Sequence, residues 1–285
     1  MANPPATPIL LAAPHAGRAY PDRVLRRMRQ PDWARLRLED RLTDKLAGEV
    51  AARTGAALLV AHAPRAMIDL NRCDTDIDWS MVAEPERRSA PRPHGECRAR
   101  NGLGLVPRRL AGLGEIWRGP ISGSDLDARI GQIHGPYHRE LDGALDTIHR
   151  DWGGALLLDL HSMPPIGKRH PSDRPARFIL GDRFGTSSDD RLVATALRSL
   201  AGAGATVAHN RPYAGGYILE RHGKASEGRH AIQLEICRSL YLDDEWKGLT
   251  DGFSALVDIL VTLVRNLSAE MQAITGDDRL PQAAE

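Results

Sequence analysis

Gly153–Pro165 reads GGALLLDLHSMPP, and this stretch decides the fold. Ala155–Leu158 is an apolar run of strand length, opened by a glycine pair and closed by Pro164-Pro165. A run of this kind bounded by turn residues reads as a buried strand of a mostly parallel sheet. It continues into Asp159-Leu160-His161-Ser162. Positions two apart on a strand share a face, so Asp159 and His161 belong to one face. In open α/β sheets, ligands collect beyond the carboxyl ends of strands. Two readings of the pair stand side by side: a functional acid and imidazole, or a core histidine held by a core aspartate.

Upstream, Ile9–Ala13 is a second apolar strand, and it runs directly into Pro14-His15-Ala16-Gly17. His15 therefore also lies just past a strand end. Asp22–Arg29 reads as a short helix. Glu39–Arg53 reads as an amphipathic helix, with Leu42, Leu46 and Val50 at four-residue spacing and Gly55 beyond as a stop. Asp40 and Asp44 then share a face near its start, where carboxylates ordinarily complement the helix dipole. Ala57–Ala61 and Ala66–Leu70 read as further strands. The second leads into Asn71-Arg72, which places a guanidinium at a strand end, either as an anion clamp or as an ordinary surface arginine.

Residues 73–123 read as a long irregular insertion rich in proline, glycine and arginine, a pattern common in functional lids. Arg87, Arg88, Arg92, Arg98 and Arg100 make it basic. Without interleaved aromatic residues it reads as a solvated loop rather than an RNA-contacting patch. Ser124–Arg150 is the clearest helix, capped by Ser124, striped by Ile130, Ile133, Tyr137, Leu141, Leu145 and Ile148, and kinked at Pro136. Phe178–Gly181 and Ala205–His209 read as strands around a helix at Asp189–Ala201, and Gly215-Gly216-Tyr217 as a close-approach loop. Ala231–Ile236, AIQLEI, is the last strand. Ile232, Leu234 and Ile236 take one face, while Gln233 and Glu235 take the other. A carboxylate on a buried strand is costly unless paired or metal-associated. Trp246–Leu267 reads as a long covering helix and 276–285 as a flexible tail. Strands alternating with helices predict one domain over 1–275, a three-layer α/β/α fold with a central mixed, mostly parallel sheet.

Composition narrows the function. Apolar residues make up 42% and charged residues 26% of the chain, as in soluble enzymes, and the net charge of +1 carries no nucleic-acid signature. No apolar run approaches the ~20 residues of a membrane span. The N-terminus lacks a basic region before its short apolar run, so no signal peptide is expected. Three cysteines without CxxC spacing argue against a disulfide framework and a cysteine zinc site, and make a reducing cytoplasm the default. Strand ends offer His15, Arg72, Asp159 with His161, and Glu235. Widely spaced His and carboxylate residues suit a catalytic zinc site with three protein ligands and an open position, although HExxH is absent.

Several segments, in order, resemble the N-formylglutamate amidohydrolase family. They are PHAG around His15, RAMIDLNR ending at Arg72, GLGLVP at Gly102–Pro107, GPYHREL at Gly135–Leu141, LLLDLHSMP around His161, PYAGGYILERHG at Pro212–Gly223 and AIQLEICRSLY around Glu235. The resemblance spans His15 to Tyr241. That family is similar in fold and site order to zinc carboxypeptidases, which implies a zinc-exopeptidase-like sheet. It implies His15 and His161 as zinc ligands, Asn71-Arg72 as the grip on a substrate carboxylate, and Glu235 as general base. Zinc carboxypeptidases have a ligand Glu three residues after the first His. Here that position is Arg18, so the resemblance points to Asp40 as third ligand with Asp44 in reserve. Asp159 would orient His161, and His138 and Tyr217 would line the pocket or simply pack.

The activity implied is zinc-dependent removal of a formyl group from an acidic amino acid such as N-formyl-L-glutamate. The alternatives are a zinc hydrolase of another N-acyl amino acid or short peptide, and a metal-free binding protein of the same fold. A small-molecule substrate is expected, with no nucleic-acid or membrane partner, and the oligomeric state is left open.

Overall fold

A computed structural model of the chain describes residues 5–83, 98–168, 170 and 172–277. In chain order the elements are β1 (Ile9–Ala13), α1 (Asp22–Leu25), α2 (Pro31–Leu38), α3 (Thr43–Thr54), β2 (Ala57–Val60), β3 (Arg109–Leu110), β4 (Gly114–Glu115) and α4 (Gly123–Arg129). They continue with α5 (Gly135–Trp152), β5 (Ala155–Met163), β6 (Phe178–Gly181), α6 (Asp190–Gly202), β7 (Val207–His209), α7 (Tyr217–His222), β8 (Arg229–Cys237) and α8 (Gly252–Asp277). The chain divides into two compact units. One takes its described residues from Met1–Ala13, Leu42–Leu59 and Leu141–Glu285, the other from Pro14–Arg41 and Val60–Glu140.

The first unit carries the expected α/β architecture, a mixed, mostly parallel sheet of order β2-β1-β5-β8-β6-β7 flanked by helices. β5 is parallel to both β1 and β8, whereas β6 is antiparallel to β8 and parallel to β7. All nine residues of β5 are buried, as its apolar run requires. Helix α8 packs on α3 and α6, and its buried face includes Leu256, Leu260, Leu263, Val264 and Leu267. By length and composition it is apolar enough to cross a membrane, although Asp258, Arg265 and Glu270 interrupt it, and nearly half of that stretch is buried against the protein. It begins at Gly252 rather than at Trp246 and runs on to Asp277.

The second unit holds most of the irregular insertion, and buried carboxylates organise it. Asp76 accepts the backbone N–H groups of Arg98 and Ala99, capping the turn at Ala99–Asn101. Arg108 bridges Asp78 and Glu115, and the Trp117 indole donates to the Pro107 carbonyl. Arg87, Arg88 and Arg92 lie outside the described residues.

Three local expectations are corrected. Ala66–Leu70 is a series of turns, not a strand: Met67 N–H bonds to Pro64 O and Arg72 N–H to Asp69 O. The Asp69 side chain takes the Asn71 N–H, the local competition by which aspartate displaces a ladder. The helix starting near Asp40 starts instead at Thr43, because Leu42 adopts a left-handed conformation, φ 60°. Asp40 is thus a connector residue and Asp44 lies in the first turn of α3. Ser124–Arg150 is not one helix. Ser122, not Ser124, caps α4 by accepting the Asp125 N–H, and a π-helical turn at Ile130–His134 separates α4 from α5.

Close backbone packing makes two glycines separable by experiment. A Cβ on Gly181 would lie 2.6 Å from the Ala214 carbonyl carbon, whereas one on Gly48 in α3 would meet nothing within 4 Å. Gly181→Ala is expected to cost about 1–3 kcal/mol by overpacking, and Gly48→Ala to be neutral or stabilising by up to about 1 kcal/mol, in denaturant unfolding.

Candidate active site

The catalytic candidates of the second unit start from the chain leaving β1. Strand β1 ends at Ala13 and His15 follows two residues later, with the ring almost wholly buried. His15 Nε2 donates to Asp69 Oδ1 at 2.7 Å. A neutral imidazole protonated at Nε2 carries its lone pair on Nδ1. That Nδ1 faces Asp40 Oδ2 at 3.6 Å. Two ligands bonded to one zinc at about 2.0–2.2 Å stand only slightly closer than this, so the pair fits the donor spacing of a metal site.

Asp40 is held by backbone, not by a helix. Its N–H donates to the His15 carbonyl at 2.9 Å. The preceding Glu39 is completely buried, with Arg41 Nη1 at 2.7 Å and Arg35 Nε at 3.7 Å. Burial pushes the Glu39 carboxyl up against the pull of both arginines.

Asp69 is the residue that sequence reasoning passed over. Its Oδ1 accepts from His15 and from the Asn71 N–H, and its Oδ2 accepts from Arg65 Nε at 2.9 Å. Burial alone would raise its carboxyl, but the charges of Arg65 and Arg72 and the hydrogen bond from His15 hold it well below the usual carboxylate range. It therefore acts as the acceptor that sets the His15 tautomer. The signal available was an acid inside an apolar run, AMIDL, read only as a strand residue.

Arg72 does not follow a strand, since its segment is turns. Its Nε donates to Leu103 O and its Nη1 to Asn71 O, which leaves Nη2 as the nitrogen turned away from these two bonds. Desolvation lowers the guanidinium below its ordinary value. The Arg72 carbonyl bonds His134 Nε2 at 2.9 Å, and the His134 ring packs at 4.4 Å against His138, which also meets Tyr137 edge-on. His134 was invisible in the sequence because a continuous helix turns it elsewhere; the π-helical turn brings it under Arg72, and such turns recur at functional sites.

The first unit supplies the remaining candidates. On β5, His161 Nε2 donates to Asp159 Oδ2 at 2.9 Å, again assigning the metal-type lone pair to Nδ1. The parallel register sets Asp159 beside Gln233 and His161 beside Glu235, so all four share one face. Gln233 Nε2 donates to Glu235 Oε1 at 3.0 Å. Tyr217 is not a loop aromatic: it opens α7, and its hydroxyl accepts from Arg221. Within the second unit, the buried donors His15 and Asp40 are compatible with a metal ion, with Asp40 rather than Asp44 as the carboxylate; within the first, His161 is a buried imidazole of the same kind.

Comparison with known proteins now defines the class as a hydrolase acting on an amide bond. A model of the N-formylglutamate amidohydrolase family matches residues 7–242. N-formylglutamate deformylase of Pseudomonas aeruginosa is 27% identical over 248 residues, covering 84% of this chain and 83% of the relative. The Pseudomonas putida deformylase is 28% identical over 246 residues, covering 83% and 82%. The crystal structure of N-formylglutamate amidohydrolase from Ralstonia eutropha JMP134 matches with a TM-score of 0.77 at 32% identity, covering 96% of this chain and 95% of that one. The chain belongs to the N-formylglutamate amidohydrolase family.

The role of Asp69 can be tested without activity. Asp69→Ala strands two buried donors, His15 Nε2 and the Asn71 N–H, each worth about 1–3 kcal/mol of lost stability in denaturant unfolding. Asp69→Asn keeps an acceptor oxygen and is expected to recover part of that loss.

Proposed function

We propose that this protein removes the formyl group from N-formyl-L-glutamate, with His15, Asp40 and His161 holding one zinc ion. The products are formate and L-glutamate: water adds its oxygen to the formyl carbon, the C–N bond breaks, and the amine nitrogen gains a proton. The observation that carries this reading is the pair of buried imidazoles, each bonded through Nε2 to a buried aspartate. Carboxylate–histidine pairs of this kind fix the tautomer and raise the basicity of metal-ligating rings. Two imidazoles and a carboxylate suit zinc by donor chemistry. The names of the Pseudomonas relatives support the substrate.

When bound, zinc supplies Lewis acidity, acidifying water and polarising the acyl carbonyl. The rest is the work of the chain. Glu235 takes the proton from the attacking water and hands it to the leaving nitrogen, the task of a general acid–base carboxylate. Asp69 and Asp159 hold His15 and His161 in the Nδ1 lone-pair form. Arg72, anchored by the Leu103 and Asn71 carbonyls, grips a substrate carboxylate through Nη2, and a guanidinium fixed in advance loses less freedom on binding. Asn71, next to it in the chain, assists that grip, and His138 and Tyr217 are the further candidates for substrate contact.

Purified protein is expected to carry about one zinc per chain by elemental analysis. His161→Ala should lose metal and deformylase activity together; full zinc occupancy in that variant would make His161 a core histidine. Glu235→Gln should keep its zinc and lose at least ~10²-fold in kcat. Turnover near wild type would return Glu235 to a structural role.

A further inference from the structure

One buried polar side chain on the active face has no part in the chemistry described so far. Gln233 lies two residues before Glu235 on β8 and is only 4% exposed. Its two amide atoms are used in opposite senses. Oε1 accepts the Gly216 N–H at 3.2 Å, and Nε2 donates to Glu235 Oε1 at 3.0 Å. The orientation of the amide follows from chemistry. A backbone N–H can only donate, so the Gln233 oxygen faces Gly216 and the NH₂ group faces the carboxylate.

Backbone packing delivers the Gly216 N–H to this place. β6 ends at Gly181, paired with Gln233 in the antiparallel register. Gly181 has no Cβ, and the Ala214 carbonyl occupies the space one would need. Arg183 N–H then bonds Ala214 O at 2.7 Å. Gly215 follows with φ +109°, a conformation that side chains rarely adopt, and turns the chain so that Gly216, the residue capping α7, meets Gln233. The result is a fixed line from the 214–216 turn through Gln233 to Glu235.

We infer that Gln233 is the positioning residue of the Glu235 carboxylate. The inference rests on the reading of Glu235 as general base. The terminal torsion of a glutamate is broad, so an unrestrained carboxylate samples many orientations. A bond from an amide itself held by backbone removes that freedom, and efficient proton transfer needs it removed. Gln233 satisfies this demand without adding charge. A glutamate there would set carboxylate against carboxylate, and an apolar residue would remove this hydrogen bond to the carboxylate.

The test combines Gln233→Met, Gln233→Glu and the Glu235→Gln background, with zinc content and thermal unfolding recorded for each. Gln233→Glu keeps the length and the acceptor for Gly216 and loses the neutral donor. Both single variants are expected to retain zinc and to lose about tenfold or more in kcat, the range for a hydrogen bond to a charged group, with KM within about twofold. In the Glu235→Gln protein, Gln233→Met is expected to cause no further loss of residual activity, because the group it positions is gone. Wild-type kcat in Gln233→Glu overturns the inference, since holding the 214–216 turn would then be its whole role. An equal loss from Gln233→Met with and without Glu235 overturns it as well. Wild-type turnover in Glu235→Gln alone overturns the general-base reading itself, whatever the Gln233 variants do.

Discussion

The in-register parallel pairing of β5 with β8 is the constraint on which the polar face of the candidate site depends. It sets Asp159 beside Gln233 and His161 beside Glu235. A slip of either strand by one residue would carry its two polar groups to the opposite face, away from the other pair. The apolar residues of the two strands, Leu156, Leu158 and Leu160 with Ile232, Leu234 and Ile236, are buried to within 1% and resist that slip. The burial that stabilises the sheet thus also places an acid, an imidazole, an amide and a second acid in a row.

Buried polar groups are costly unless bonded, and this protein bonds them in short chains. Asp69 serves His15, Asn71 and Arg65 at once; Asp159 serves His161; Gln233 links Gly216 to Glu235. Each link uses a group whose hydrogen-bonding sense is fixed, a carboxylate that accepts or a backbone N–H that donates. The proton positions on the histidines and the orientation of the glutamine follow from these. The second unit extends the same economy to its loops, where Asp76, Asp78 and Glu39 organise backbone and arginines that no sheet ladder satisfies.

The legible parts of the sequence were those governed by periodicity. The runs at Ile9–Ala13, Ala155–Leu158 and Ala231–Ile236 all became central strands, because apolar runs of strand length have little choice once buried. The same rule misread Ala66–Leu70, where a side-chain bond from Asp69 to a nearby backbone N–H won over a ladder. Helix boundaries failed where a single dihedral decided them: Leu42 in the left-handed region cut Asp40 out of α3. The π-helical turn at Ile130–His134 shifted the register of α5 and exposed His134 to Arg72, an outcome that no hydrophobic stripe encodes.

By itself the sequence determined the sheet strands, the shared faces of Asp159 with His161 and of Gln233 with Glu235, and, through ordered motifs, the family. These are properties of a chain read a few residues at a time, where strand and helix periods act. Tertiary structure alone decided that Asp69 is the partner of His15, that Asp40 faces His15 from a connector instead of a helix, and that Arg72 is anchored by the Leu103 carbonyl. Those contacts join residues up to 54 positions apart, and hydrogen-bond geometry selects among many acids and carbonyls that are equivalent in the sequence.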